Sequence, residues 1–127
     1  MTAQETELMA MIARLAPQFH QLTSEVLFGQ VWQDDTLSQR DRSLITVTAL
    51  VVLNRMEQLP GHLTRALNNG LRTEELSAAI THLAFYAGWP VAASAFERLD
   101  ATPSQCNQAA DRSFTCGIPA TDLQEKS

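Results

Sequence analysis

Apolar residues recur at helical spacing along most of the chain, most clearly between residues 37 and 90. Side chains three or four positions apart share one face of an α-helix, so such a pattern predicts amphipathic helices. The predicted apolar faces, helix by helix, are Leu8, Met9, Met11, Ile12 and Leu15; Phe19, Leu22 and Val26; Leu44, Ile45, Val47, Leu50, Val51 and Leu53; Leu59, Leu63, Ala66 and Leu67; Leu76, Ala79, Ile80, Leu83 and Ala84; and Ala92, Ala95 and Phe96. The pattern predicts an all-α bundle of about six helices.

Residues that favour helix ends lie between these faces. Pro17 interrupts the first helix, and Ser38 is a good N-terminal cap for the third. Gly70 supplies the left-handed residue that ends the fourth helix, Thr73 is the predicted cap of the fifth, and Gly88 ends it. The third helix has the widest apolar face, so we expect it to be the most buried.

The length of the chain and the change in its composition near residue 100 predict one small domain followed by a tail. A chain of 127 residues has the common size of a single domain. We assign residues 1–100 to one helical domain and residues 101–127 to an irregular tail, because the tail is rich in small and polar residues and has no sustained period. A small helical core of this kind often completes its burial by oligomerising.

Charge and apolar run length exclude several classes of partner. The net charge is −5 and the nine basic residues are scattered, which argues against nucleic acid and anionic membranes. The N-terminus lacks the features of a signal peptide, and no apolar run approaches a membrane span, so we expect a cytoplasmic protein. Cys106 and Cys116 have no metal-ligand spacing; they are either reduced thiols or a disulfide within the tail, and we expect no metal and no cofactor.

Two histidines and a tyrosine are the first candidates for chemistry. His62 and His82 each lie on the shoulder of a predicted apolar face, His62 at roughly 60° from the centre of its face. Tyr86 follows His82 by four residues, so their side chains share a helix face. Such positions suit either a polar wall of a cleft or a core or interface histidine whose nitrogens are satisfied within the protein.

Three arginines flank the third helix. Arg40 and Arg42 stand near its start and Arg55 near its end. A guanidinium holds a carboxylate through two parallel hydrogen bonds, which suggests a small anionic substrate; the alternative is a salt bridge to an acidic residue of the same or another subunit. We expect Arg42 to be partly buried, and we interpret Ser43 as helix surface without an adjacent base, which argues against a nucleophile.

Three segments, FGQVW, LSQRDRSLITVTALVVLNR and EQLPGHLTRALNNGLRTEELSAAITHLAFYAGWPVAASAF, together resemble the carboxymuconolactone decarboxylase family over residues 28–96. The peroxidase-like branch of that family carries a CxxC pair, with a Glu twelve residues before the first Cys and a His four after the second. Counting back from His62 places Ser43, Arg55 and Gln58 at the Glu and Cys positions. The chain therefore resembles the decarboxylase-like branch, from which it departs at Ala87 and at the bulkier Trp89.

The resemblance implies an alkylhydroperoxidase-like helical fold assembled as a homotrimer or homohexamer. It further implies cofactor-independent decarboxylation of 4-carboxymuconolactone or a related small lactone or acid in aromatic compound catabolism. The implied catalytic residues are His62, as proton donor, with Arg42 and Arg55 as anion holders, and the implied substrate-binding residues are Arg40, His82, Tyr86 and Trp89. Two alternatives stay open: a thiol-dependent or other redox enzyme of the same fold, and a non-catalytic oligomeric protein that binds small molecules.

Overall fold

The computed structural model describes residues 3–103, and that part of the chain contains α-helices, one π-helical segment and no strand. The helices are α1 Ala3–Leu15, α2 Pro17–Gln21, α3 Gln39–Val52, α4 Leu59–Asn68, α5 Thr73–Ala87 and α6 Trp89–Ala101, with the π-helical segment Leu22–Val31 between α2 and α3. The predicted all-α fold of about six helices is confirmed. The division into a domain and a tail stays a prediction, and Cys106 and Cys116 lie outside the described residues.

The chain divides into two compact units, Met1–Arg42 and Ser43–Ser127. In the first unit α1 ends before Pro17, as predicted. The predicted second helix begins as α2 but continues as a π-helix. The hydroxyls of Thr23 and Ser24 donate to the carbonyls of Phe19 and His20, at 2.8 and 3.2 Å. These side-chain bonds compete for carbonyls that the backbone of an α-helix would use.

Trp32 is the one buried apolar residue among those described in the first unit, at 6% exposure. Its ring lies 5.7 Å from that of Phe28, and its carbonyl accepts a hydrogen bond from the side-chain amide of Gln39. Gln39 is the first residue of α3, so this bond ties the connecting segment to the start of that helix. Ser38 caps α3 as predicted, because its hydroxyl accepts a hydrogen bond from the backbone N–H of Asp41 at 3.0 Å.

The hydrophobic core lies in the second unit. It consists of Val47 and Val51 from α3; Leu59, Leu63, Ala66 and Leu67 from α4; Leu71 from the following turn; Leu76, Ile80, Leu83 and Ala84 from α5; and Ala92, Ala95 and Leu99 from α6. Helix α6 packs against both α5 and α4. The expectation that α3 is the most buried helix was wrong. Its wide apolar face is covered on one side only, and Ile45 and Leu53 remain exposed on the other.

Helices α3 and α4 end in the same way, each on a residue with positive φ. Asn54 follows α3 at φ 59°, and Gly70 follows α4 at φ 107°. The next residue then donates its N–H back to the helix, Arg55 to the Leu50 carbonyl at 2.8 Å and Leu71 to the Ala66 carbonyl at 3.0 Å. This is the Schellman arrangement, which satisfies the last carbonyls of a helix. The predicted end at Gly70 is confirmed.

Helix α5 begins one residue earlier than its predicted cap implies. Arg72 is the N-terminal cap with extended backbone, and Thr73 is already the first helical residue. The N–H of Arg72 donates to the Glu75 carboxylate at 2.9 Å. A carboxylate on the third residue of the helix thereby accepts the backbone N–H of the cap residue, which has no partner within the helix. Gly88, at φ 103°, separates α5 from α6 as predicted.

Candidate functional site on helix α4

Helix α4 has fewer exposed residues than the other helices of the second unit. Every residue from 59 to 67 is buried or half-buried, whereas Asn68 at its end is exposed. The buried side chains Leu59, Leu63, Ala66 and Leu67 account for its apolar face. Its polar face is therefore partly covered, and that face carries both of the helix's ionisable residues, His62 and Arg65.

His62 lies at the edge of the apolar face. The residue is half-buried, and its Nδ1 atom is buried. This fits the shoulder position predicted from the spacing. Because α4 begins directly after its cap residue Gln58, with Pro60 in the first turn where a missing N–H costs nothing, His62 stands at the end of that turn.

Arg65 is a residue that the sequence analysis did not single out. It stands three positions after His62 in α4, so the two side chains are neighbours on the helix surface. Arg65 is half-buried, and its Nε atom is buried. The same three-residue spacing, applied to the predicted helix around His62, is the signal that would have found it.

Arg55 is positioned by the backbone that ends α3. Its N–H donates to Leu50, and its carbonyl accepts the N–H of Leu59, at 3.2 Å, at the start of α4. The backbone of Arg55 thus links the two helices, while its side chain is exposed. The predicted role of Arg55 as an anion holder stays a prediction.

His82, Tyr86 and Trp89 lie on the outer surface of α5 and at the start of α6. The rings of His82 and Tyr86 are 5.2 Å apart, as their four-residue spacing predicts. The ring of Trp89 lies edge-on to Phe85 at 5.5 Å. Tyr86 is 76% and Trp89 66% exposed, and His82 is exposed too. The predicted shoulder position of His82 was wrong, because the residues of α5 that are buried centre on the opposite side of the helix, roughly 145° away at 100° per residue.

Arg40 and Arg42 belong to the first unit. Arg40 forms an exposed ion pair with Asp41 at 3.6 Å, as the salt-bridge alternative predicts. Arg42 is half-buried, as expected, and its Nη2 donates to the Asp34 carbonyl at 3.0 Å. The pKa of the Asp34 carboxyl is lowered, chiefly by hydrogen bonds from Thr36 and to a smaller extent by the charge of Arg42.

Ser43 is buried at 1% exposure, so its interpretation as helix surface was wrong. Its hydroxyl oxygen accepts a hydrogen bond from the side-chain amide of Asn69 at 3.0 Å. Asn69 is the residue that terminates α4. This bond therefore holds the end of α4 against α3.

Among residues 3–103 no group of three or more His, Cys, Asp or Glu side chains is arranged to hold a metal ion. Within the same range no helix is both long enough and apolar enough to cross a membrane.

In the described residues these features define an all-α protein whose helix α4 carries a histidine and an arginine on a partly covered polar face. Residues 17–101 match the model of the carboxymuconolactone decarboxylase family, and the chain belongs to that family. The match includes all of the segments from which the resemblance was first drawn.

Two named relatives lie in the same range of similarity. The 4-carboxymuconolactone decarboxylase of Acinetobacter baylyi is 33% identical over 97 residues, which cover 71% of this chain and 72% of the relative. The nitrosuccinic acid decarboxylase of Metarhizium robertsii is 32% identical over 92 residues, which cover 72% of this chain and 62% of the relative. Both are named as decarboxylases, which supports the interpretation of this chain as a carboxy-lyase.

Proposed function

We propose that this protein is a cofactor-independent decarboxylase of 4-carboxymuconolactone, or of a related small lactone or acid, in aromatic compound catabolism. The observation that carries the proposal is His62, a half-buried histidine on the partly covered polar face of α4. The names of the two relatives support the reaction class. The identity of the substrate is part of the proposal.

Decarboxylation of such a substrate asks for a proton donor and for cations. The bond between the ring carbon and the leaving carboxylate breaks, carbon dioxide departs, and the electron pair passes into the conjugated lactone. A proton then returns to carbon. Cationic groups stabilise the charge that develops on the lactone carbonyl, and a general acid delivers the proton.

His62 is the proposed general acid. An imidazole can both give and take a proton, which is what a general acid of this kind must do. We assign the transfer to its Nε2 atom, because Nδ1 is buried in the protein. Water then restores the proton to the ring. Arg42 and Arg55 remain the proposed anion holders, each acting through its guanidinium.

The test is turnover of purified protein with 4-carboxymuconolactone, followed by ultraviolet absorbance and by release of carbon dioxide. We expect His62→Gln to lower kcat roughly 10²- to 10⁴-fold, which is the usual contribution of general acid–base catalysis. His20→Gln is the matched control, because His20 is also half-buried and lies in the other unit. No turnover by the wild-type protein would reject the proposed decarboxylase activity. Equal turnover by His62→Gln would reject His62 as the general acid.

We further propose a homotrimer or homohexamer, with His82, Tyr86 and Trp89 facing a ligand at a subunit boundary. Phe85, Tyr86 and Trp89 are each at least 66% exposed, which leaves roughly 300–500 Å² of aromatic surface in contact with water. That is as large as the largest apolar patch of a typical monomer. Side chains so exposed can enclose a small ligand only where a second subunit covers them.

Sedimentation measures the assembly. We expect a mass of three or six times 14.0 kDa, and a Trp89→Ser variant that dissociates at higher concentration than the wild type. A wild-type protein that sediments as a monomer at micromolar concentration rejects this part of the proposal.

The location and the thiol alternative have their own tests. We expect fractionation of cells to place the protein in the cytoplasm. If the protein consumes an organic hydroperoxide, replacement of both Cys106 and Cys116 by Ser tests the thiol route, which requires an attacking and a resolving sulfur. Consumption that survives the double replacement rules that route out.

A further inference from the structure

We infer that Arg65 binds a carboxylate of the substrate beside His62, and that this site selects for anionic substrates over their esters. The inference rests on the proposed function, because it names the group that holds the substrate next to the proposed proton donor. Neither Arg42 nor Arg55, the proposed anion holders, stands on the same helix as His62.

The first step is the shared face of α4. Residues three apart on a helix have Cβ atoms roughly 5–6 Å from each other. Arg65 follows His62 by three residues within Leu59–Asn68. A carboxylate held by the Arg65 guanidinium can therefore keep the rest of a small substrate within reach of the His62 ring.

The second step is the burial of Arg65. On ideal geometry its Cβ points roughly 145° away from the centre of the buried apolar face of α4. A side chain in that direction is ordinarily in water, yet Arg65 is half-buried and its Nε atom is buried. The polar face of α4 is consequently partly covered, and a charge pair formed there is screened by water less than one on the open surface.

The third step is the chemistry of the guanidinium. It has five N–H donors in a planar fork, stays charged when partly desolvated, and matches a carboxylate through two parallel bonds. Arg65 already takes part in an interaction within the protein, and the fork has donors enough to hold that partner and a ligand together. The exposed Arg55 side chain lacks this partial desolvation.

The inference predicts a binding preference that a purely structural arginine does not produce. The experiment is calorimetric titration of the full-length protein with maleate, a planar dicarboxylate, and with dimethyl maleate, at fixed ionic strength. We expect the wild type to bind maleate and not the diester. Arg65→Gln should weaken maleate binding roughly 10- to 100-fold, the usual effect of losing a charged hydrogen-bonding partner.

Two further variants keep the result interpretable. Arg98→Gln is the matched control, because Arg98 is a partly buried arginine of α6 with an ion pair to Glu97 at 3.8 Å, and it should leave binding unchanged. Arg65→Lys keeps the charge and serves if Arg65→Gln fails to fold; an ammonium lacks the planar fork, so we expect at least a roughly threefold loss.

Three results overturn the inference: no maleate binding by the wild type, equal binding by the wild type and Arg65→Lys or Arg65→Gln, and a larger loss in Arg55→Gln than in Arg65→Gln. Parallel turnover measurements separate it from the proposed function. Binding of maleate that depends on Arg65, in a protein that does not turn over the lactone, rejects the decarboxylase and keeps the carboxylate site. Turnover of the lactone that is unchanged in Arg65→Gln rejects the carboxylate site at Arg65 and keeps the decarboxylase.

Discussion

The hydrogen bond between Ser43 and Asn69 should contribute measurably to the stability of the second unit. Ser43→Ala removes the hydroxyl that accepts the Asn69 amide at 3.0 Å. A neutral hydrogen bond contributes about 0.5–1.5 kcal/mol net. Ser43 and Ala are similar in size, so little cavity term is added, and the half-buried Asn69 amide can recruit water in the variant. We therefore expect a loss of about 1 kcal/mol in the free energy of unfolding.

Asn69→Ala should cost more than Ser43→Ala. It leaves the polar oxygen of Ser43, which is 1% exposed, without the amide that donates to it. A buried polar group that loses its partner costs about 1–3 kcal/mol. Asn68→Ala is the matched control, because Asn68 is the exposed neighbour of Asn69 at the end of the same helix.

Urea unfolding followed by circular dichroism, at one protein concentration for all variants, measures these differences. The double variant gives the coupling energy of the pair, which we expect to be about 0.5–1.5 kcal/mol. A coupling energy below about 0.3 kcal/mol, or a loss in Asn68→Ala as large as in Asn69→Ala, would refute the reasoning, since the bond would then not hold α4 to α3.

Three other predictions concern the core, a turn and a carboxyl group. Leu63 is fully buried, so Leu63→Ala should lower the free energy of unfolding by about 2–5 kcal/mol. Leu53 is 63% exposed, so Leu53→Ala should change that free energy by less than about 0.5 kcal/mol. Equal losses for the two variants in urea titrations would contradict the assigned burial. Gly88→Ala should cost about 1–3 kcal/mol, because φ 103° and ψ 155° strain any side chain, even though the added methyl group meets only the Cδ atom of Pro90, at 3.9 Å. A neutral result by the same measurement would contradict this. The pKa of the Asp34 carboxyl is lowered in the folded protein, so its contribution to stability is present above the unfolded-state pKa and is lost as pH falls through the folded-state pKa. Carbon-detected NMR titration should show this carboxyl titrating below the ordinary aspartate range. Thr36→Pro removes the N–H that donates to Asp34, so it should raise the Asp34 pKa again.

Much of the helical framework follows from the sequence, because it depends on local chemistry. The apolar spacing within each segment, the break at Pro17 and the turn at Gly70 involve residues close in the chain, and all are present in the structure. Local spacing also identifies the neighbours on one helix face, such as His82 and Tyr86, whose rings are in contact.

The spacing of apolar residues was insufficient to predict the type of helix where side-chain and backbone hydrogen bonds compete for the same carbonyls. The second predicted helix has a helical pattern throughout, yet it changes from α to π at Leu22. The hydroxyls of Thr23 and Ser24 lie near enough to the backbone to take the carbonyls of Phe19 and His20. A pattern of apolar positions contains no information about such bonds.

What the sequence by itself determined is the family, the fold class and the helices with their apolar faces, since these depend on residues within a few turns of one another. What only the tertiary structure decided is what covers each helix face. Ser43 is buried and accepts a hydrogen bond from a residue 26 positions away. His82 faces outward, and the polar face of α4 with His62 and Arg65 is partly covered. Burial of a polar side chain depends on neighbours that are distant in the chain, and helical periodicity specifies only the direction in which that side chain points.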